Sequence, residues 1–165
     1  MQLAFLYLLA YYLVNRKDAN DALINWLQKF GVKVSLAIAV LAVILPHIYS
    51  GIIGYPACYL CWIQRGFIYP QIIFLAVALW MQKRWAIAAS LVLSVLGMIV
   101  AIYHNLISIT GVGDKCSAFG NGVSCSIRYV YEFGYITIPM MSLTIFLLLT
   151  LLLSLSLRGR DTMAQ

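Results

Sequence analysis

The chain has 165 residues, of which 64% are hydrophobic and 10% are charged, and its formal net charge is +6. Soluble domains carry roughly 25% charged residues, so this composition excludes an ordinary soluble domain and indicates an integral membrane protein. The basic residues are spread along the chain rather than gathered in a patch, which argues against a nucleic-acid partner.

The chain begins with an apolar run at residues 2–14, followed by the polar stretch NRKDANDALINWLQKFG. A membrane span needs about 20 apolar residues, so the opening run is too short to cross comfortably. Residues 1–33 are therefore predicted to form an interfacial N-terminal segment, with a short extra helix as the alternative. A cleaved signal peptide fits poorly, because the charges follow the apolar run instead of preceding it.

Four later stretches are long enough to span a bilayer. They cover about residues 34–53, 58–82, 85–107 and 136–157. The second and third meet at QKR, residues 82–84, and a connection this short forces an antiparallel hairpin. The predicted fold is all-α: an integral membrane four-helix bundle over residues 34–157, followed by a cytoplasmic tail at 158–165.

The basic residues indicate how this bundle is oriented. Eight fall on one side of the predicted spans: Arg16, Lys17, Lys29, Lys33, Lys83, Arg84, Arg158 and Arg160. The other side holds three: Arg65, Lys115 and Arg128. Because cytoplasmic flanks carry the excess of Lys and Arg, both termini are predicted to be cytoplasmic. All four cysteines then fall in the two outward-facing connections, where disulfides persist.

The first cysteine pair, Cys58 and Cys61, lies at the predicted start of the second span. Residues three apart share a helix face, so the two sulfurs are close enough to form a disulfide. The first helical turn also favours a thiolate at Cys58. Redox chemistry explains the pair better than a staple does, because so short a loop gives little entropic stabilisation.

Zinc is the other use of a CxxC pair. It usually requires a second such pair or histidines at ligand spacing, whereas Cys116 and Cys125 are nine positions apart and both histidines, His47 and His104, lie within spans. We therefore assign no metal ligands from the sequence.

Two polar residues are predicted to lie near this pair. Arg65 is one turn deeper than Cys61 on the same helix face, where it either snorkels to the interface or polarises the oxygen of an electron acceptor. In the hairpin, antiparallel positions sum to about 167, so His104 falls at a depth between Arg65 and Cys61. We therefore favour a functional role for His104 over a purely structural one.

The second pair, Cys116 and Cys125, brackets the small flexible stretch SAFGNGVS. A disulfide in such a loop is either an accessible site for attack by an incoming thiolate or an ordinary extracellular staple. Two pairs in series favour a relay from a soluble partner to an acceptor in the membrane.

The chain resembles the disulfide bond formation protein B (DsbB) family, particularly its BdbC-like branch. The resemblance rests on PACYLCWIQRGFIYP, on the histidine in IYHN and on CSIRYVYEFGYITIPMMSLTIF, and it covers roughly residues 34–157. It implies a bacterial cytoplasmic membrane protein whose active loops face the periplasm or an equivalent exterior. The implied activity is oxidation of protein dithiols, with the electrons passed to a membrane quinone, either ubiquinone or menaquinone.

The resemblance also implies a role for each site residue. Cys116 would be attacked by a reduced thioredoxin-fold partner similar to DsbA, and Cys125 would pass the electrons to Cys58. Cys61 would then be released as a thiolate facing the quinone. Arg65 resembles the family's quinone-polarising arginine, and His104 resembles its second quinone-pocket residue.

Departures from the family pattern are the 33 residues before the first span, a relay loop shorter than in some members, and Ile63 in place of tyrosine. One alternative function is a quinone reductase of the vitamin K epoxide reductase type. That family places its loop cysteines ahead of the CxxC, whereas here the CxxC comes first. The other alternative is a non-enzymatic metal-binding or structural membrane protein.

Overall fold

The computed structural model describes residues 22–52, 54, 58–110 and 138–162. These residues form four helices: α1 (Ala22–Gly51), α2 (Tyr59–Trp80), α3 (Arg84–Thr110) and α4 (Ile138–Thr162). Each helix contains a stretch long and apolar enough to cross a membrane: Lys29–Ile48, Tyr59–Trp80, Arg84–Thr110 and Pro139–Arg158. The predicted all-α four-span bundle is therefore confirmed.

Helix α1 begins earlier than the predicted first span. It starts at Ala22 rather than near residue 34, and its early part packs into the bundle, where Val32 is buried. The lysines at positions 29 and 33 mark where the apolar stretch begins, but lysine is a good helix former and does not end a helix. The interfacial segment was predicted for residues 1–33, and its first part, residues 1–21, lies outside the described residues.

The helices form a ring in which each packs against two neighbours, in the order α1, α2, α3, α4 and back to α1. Helix α3 presents a stripe of small buried residues to the interior: Ala86, Ser90, Ser94, Gly97 and Ala101. Small residues allow helix backbones to approach closely. In a bilayer the lipid tails are as apolar as the side chains, so close packing of this kind drives the helices together. Large side chains from the other helices, such as Leu75 and Phe146, fill the interior and are fully buried.

The hairpin of α2 and α3 is also joined by polar contacts deep in the bundle. The Gln71 side-chain amide of α2 donates to the Ser90 carbonyl oxygen at 3.1 Å and to the Ser94 hydroxyl. Such interhelical hydrogen bonds contribute about 0.6 kcal/mol each on average in membrane proteins. Together with the short turn, they fix the depth at which each residue of α2 faces α3.

The turn itself occupies residues 81–83. Helix α2 ends at Trp80, where the backbone N–H of Met81 donates to the Val77 carbonyl at 2.8 Å. Gln82 then adopts a left-handed backbone with φ of 52°, which reverses the chain direction. The side chain of Gln82 donates back to the Leu79 carbonyl at 2.8 Å, so it satisfies one of the carbonyls left over at the helix end.

Gly97 of α3 lies directly against the Phe146 ring of α4, and its replacement by alanine should destabilise the bundle. A Cβ atom at this position would overlap the Phe146 ring, and Phe146 has no exposed surface into which it could move. Overpacking of this kind costs typically 1–3 kcal/mol. Unfolding of the purified variant in detergent, followed by circular dichroism, measures the loss.

The matched control is Gly66→Ala in α2, because a Cβ atom at Gly66 meets nothing within 4 Å. Alanine is also the better helix former by up to about 1 kcal/mol. Gly66→Ala should therefore unfold at or above the wild-type midpoint. Equal midpoints for the two variants would contradict the close packing of α3 against α4.

Candidate active site

Two thiols lie where helix α2 begins, at the end of the bundle we call the dithiol end. Cys58 is the N-cap residue, with an extended backbone and no side-chain capping bond, and Cys61 follows one turn later. Their Sγ atoms lie 3.0 Å apart and no disulfide joins them. The S–S bond of a disulfide is about 2.0 Å long, so a small side-chain rotation would close this pair.

His104 of α3 lies against the thiol pair. Its side chain is 2% exposed, and Nε2 is 3.6 Å from the Cys58 sulfur. The depth derived from the hairpin places His104 at this level, and the structure brings it to Cys58 rather than to Arg65. The fold therefore brings together the Cys58, Cys61 and His104 side chains, whose ligand atoms all lie within 4.8 Å of one another.

Gln64 is a buried neighbour to which the sequence analysis assigned no role. Its side-chain nitrogen lies 3.3 Å from Nδ1 of His104. Because an amide nitrogen only donates, Nδ1 accepts this bond and the ring proton of a neutral His104 lies on Nε2, directed at the Cys58 sulfur. The available signal was position, since Gln64 follows Cys61 by three residues and so shares its helix face.

In the reduced pair, the surroundings of Cys58 raise the pKa of its thiol. Cys58 lies just before the membrane-spanning residues of α2. The hydrogen bond to Cys61 and then burial raise the pKa of the Cys58 thiol from 9.0 to about 12, outweighing the contact with His104, which lowers it. At neutral pH Cys58 therefore holds its proton in the reduced pair. The hydrogen bond to Cys61 and the burial therefore oppose, in this state, the thiolate that the first helical turn was predicted to favour at Cys58.

Arg65 is buried, with 8% of its side chain exposed. Its guanidinium donates to the Pro46 carbonyl oxygen of α1 at 3.0 Å and lies over the Trp62 ring, 5.1 Å from the centroid. A cation over an indole face is stabilised by the ring electrons. The structure therefore places Arg65 between α1 and α2.

An open apolar groove of about 380 Å³ lies where α1 and α2 meet near the dithiol end. Its lining residues are Val43, Ile44, His47, Ile48, Ile52 and Tyr69. Nδ1 of His47 is 2.7 Å from the Val43 carbonyl oxygen, so that nitrogen carries the ring proton, and the Tyr69 hydroxyl donates to Nε2 at 3.1 Å. Tyr69 follows Arg65 by one helical turn, and Pro46, which the guanidinium contacts, directly precedes His47 of the groove lining.

The second cysteine pair, Cys116 and Cys125, lies outside the described residues. The structure therefore gives the positions of the CxxC pair, Arg65 and His104, while the placement of the loop cysteines stays a prediction.

A bundle of membrane-spanning helices with paired thiols at one end is typical of one class of protein, the membrane proteins that carry out thiol and disulfide chemistry. The family model described as "Disulfide bond formation protein DsbB" matches residues 28–156. The chain therefore belongs to the DsbB family, as its motifs predicted, and is a multi-pass bacterial membrane protein of disulfide formation.

Named relatives agree with this assignment. The "Probable disulfide formation protein" of Oceanobacillus iheyensis is 32% identical over 92% of this chain and 98% of its own length. "Disulfide bond formation protein C" of Bacillus subtilis is 29% identical over 78% of this chain and 92% of its own length. These names support the BdbC-like branch. No solved structure matches the chain significantly.

Proposed function

We propose that this protein is a membrane thiol:quinone oxidoreductase. It reoxidises a DsbA-like, thioredoxin-fold dithiol oxidase outside the cytoplasm and passes the electrons to a membrane quinone. The observation that carries the proposal is the reduced Cys58–Cys61 pair, with sulfurs 3.0 Å apart and His104 against it, at one end of a membrane bundle. Membership of a disulfide-forming family supports the same reaction.

The relay begins when a partner thiolate attacks Cys116 of a Cys116–Cys125 disulfide. A mixed disulfide with the partner forms and Cys125 is released as a thiolate. Cys125 then attacks Cys58 of the Cys58–Cys61 disulfide, which releases Cys61 as a thiolate. The partner's second thiolate then displaces Cys116 and completes the partner's disulfide, and Cys116 attacks Cys125, which restores the loop disulfide and releases Cys58. Each step exchanges one S–S bond for another, so the two electrons and two protons of the partner's dithiol arrive at the membrane pair.

His104 and Gln64 prepare Cys58 for this exchange. The Nε2–H of His104 points at the Cys58 sulfur and stabilises negative charge whenever Cys58 is the departing sulfur. Gln64 holds the ring in that tautomer through Nδ1. The burial of His104 and Gln64 keeps bulk water from competing for these bonds.

The residues next to the pair fit a quinone. A bound quinone would accept the two electrons and two protons of the reduced CxxC pair. Arg65 carries five N–H donors in one plane, so it can hold the Pro46 carbonyl and a ring carbonyl oxygen together. The neighbouring groove has an almost wholly apolar lining, which suits an isoprenoid chain, and Arg65 adjoins it through Pro46 and Tyr69.

The proposed orientation has both termini in the cytoplasm and the dithiol end outside. It rests on the eight-to-three distribution of basic residues between the two sides and on the positive-inside rule. The thiol pair then faces the compartment where disulfides persist.

Quinone-dependent oxidation of a reduced thioredoxin-fold dithiol by the purified protein tests the proposal. Quinone absorbance and free-thiol counts should fall together, with one quinone reduced per disulfide formed. Turnover must stop when quinone is omitted. No turnover with either ubiquinone or menaquinone would refute the proposal.

Arg65→Ala should weaken the use of quinone while both disulfides still form. The guanidinium supplies a charged donor to the acceptor's oxygen, and a hydrogen bond to a charged group contributes about 1.5–3 kcal/mol. The KM for quinone should therefore rise by about one to two orders of magnitude, while the KM for the protein dithiol stays unchanged.

The matched control for this prediction is Arg84→Ala. Arg84 begins α3 at the opposite end of the bundle, so its loss should leave both KM values unchanged. A similar rise in the two KM values after Arg65→Ala would contradict a specific contact with quinone.

A further inference from the structure

The geometry points to a second use of the dithiol end: we propose that reduced Cys58 and Cys61 together with His104 bind a thiophilic divalent ion of the zinc class. The inference needs only reduced thiols, so it does not rest on the relay or on quinone. Among the described residues, these three form a group whose ligand atoms lie within 4.8 Å of one another. Two thiolates and an imidazole are ligands that zinc prefers.

The separations suit a tetrahedral ion after one small change. With Zn–S near 2.3 Å and Zn–N near 2.0–2.1 Å, a tetrahedral site places sulfur about 3.6 Å from nitrogen and the two sulfurs about 3.8 Å apart. The Cys58 sulfur is already 3.6 Å from Nε2 of His104. The two sulfurs are 3.0 Å apart, so they must separate slightly, and Cys61 is only partly buried and can rotate.

Gln64 can hold His104 in the form that an ion needs. Metal binding requires an unprotonated Nε2, which moves the ring proton to Nδ1. Rotation of the Gln64 amide places its oxygen, instead of its nitrogen, 3.3 Å from Nδ1, where it accepts that proton's hydrogen bond. A histidine ligand is commonly oriented by such a partner on its other nitrogen.

Charge favours the site as well. Binding releases one proton from each thiol and leaves the sulfurs at the same oxidation level, so two protons leave for each divalent ion bound. The complex of one divalent ion, two thiolates and a neutral imidazole carries no net charge. Cys58 and His104 are buried, and a neutral complex avoids the cost of burying an unpaired charge.

Binding and disulfide formation exclude each other, because both use the same two sulfurs. The site therefore exists only in the reduced protein, and an occupied site blocks reoxidation of the pair. No metal site was predicted from the sequence, because His104 lies within another span and not at ligand spacing from the cysteines. The antiparallel hairpin removes that separation in space.

The test uses full-length protein in detergent with Cys116→Ser and Cys125→Ser, so that the loop thiols contribute no ligands. Anaerobic titration of the reduced form with Co²⁺ should show thiolate-to-cobalt charge transfer and tetrahedral bands that saturate at one ion per chain. Added Zn²⁺ should displace these bands. The disulfide form should show neither.

Variants separate a three-ligand site from binding by thiols alone. His104→Ala should weaken Zn²⁺ binding by more than about 100-fold, since even second-shell changes cost 10–100-fold, and His104→Cys should restore it. His47→Ala is the matched control and should bind as the parent does. The proposal fails if the disulfide form binds equally, if His104→Ala binds with unchanged affinity, or if the reduced parent protein shows no charge-transfer band.

Discussion

Replacing Cys61 with serine should abolish quinone reduction by the purified protein. A serine oxygen cannot form a disulfide with Cys58, so the membrane pair can no longer store two electrons. The remaining Cys58 thiolate can instead attack Cys125 of the loop disulfide and release Cys116 as a thiolate, so the variant should accumulate a Cys58–Cys125 disulfide. Quinone absorbance measures the loss of turnover, and peptide mapping under non-reducing conditions identifies the trapped bond.

A matched change at the same end of the bundle controls for damage to the fold. Thr110 is exposed at the end of α3, and its hydroxyl donates to the Leu106 carbonyl at 2.8 Å. Thr110→Ser keeps that hydroxyl and should leave turnover unchanged. Residual quinone-dependent turnover in Cys61→Ser would show that the electrons leave the protein from another sulfur.

Cys116→Ser should block oxidation of the thioredoxin-fold partner by removing the sulfur that the partner attacks. The CxxC pair stays intact, so a small dithiol that reaches it directly should still support quinone reduction. Parallel assays with the protein dithiol and with the small dithiol measure the two activities. Loss of the first with retention of the second is the expected result.

Cys125→Ser provides the companion to this experiment. Incubated with the disulfide form of the partner, its Cys116 thiolate should attack that disulfide and release the partner's second thiolate, and the mixed disulfide should accumulate because Cys125 is missing to resolve it. Unchanged oxidation of the partner by Cys116→Ser would mean that the proposed order of the relay is wrong.

The spans could be predicted because a membrane leaves the backbone few choices. Polar backbone groups in hydrocarbon must bond within the helix, so the length of each apolar stretch indicates a helix that crosses. The start of α1 at Ala22 was not predicted, because the length of an apolar stretch indicates only the part of a helix that lies in hydrocarbon. Charges show where the membrane ends, whereas a helix can continue into the interface.

The depth of His104 could be derived from the sequence, but its contacts could not. Antiparallel helices advance by the same 1.5 Å per residue, so the short turn at residues 81–83 fixes which residues lie level. It does not fix how each helix is rotated about its axis. That rotation decides that His104 meets Cys58 and Gln64, and that Arg65 faces Pro46 of α1 instead.

The amide of Gln71, bonded across to Ser90 and Ser94, has a consequence for biogenesis. If α2 left the translocon alone, this amide would face lipid tails without a partner, at a cost of several kcal/mol. With only three residues between them, α2 and α3 can enter the bilayer as one preassembled pair. The first and last helices would then dock onto a unit whose register is already set.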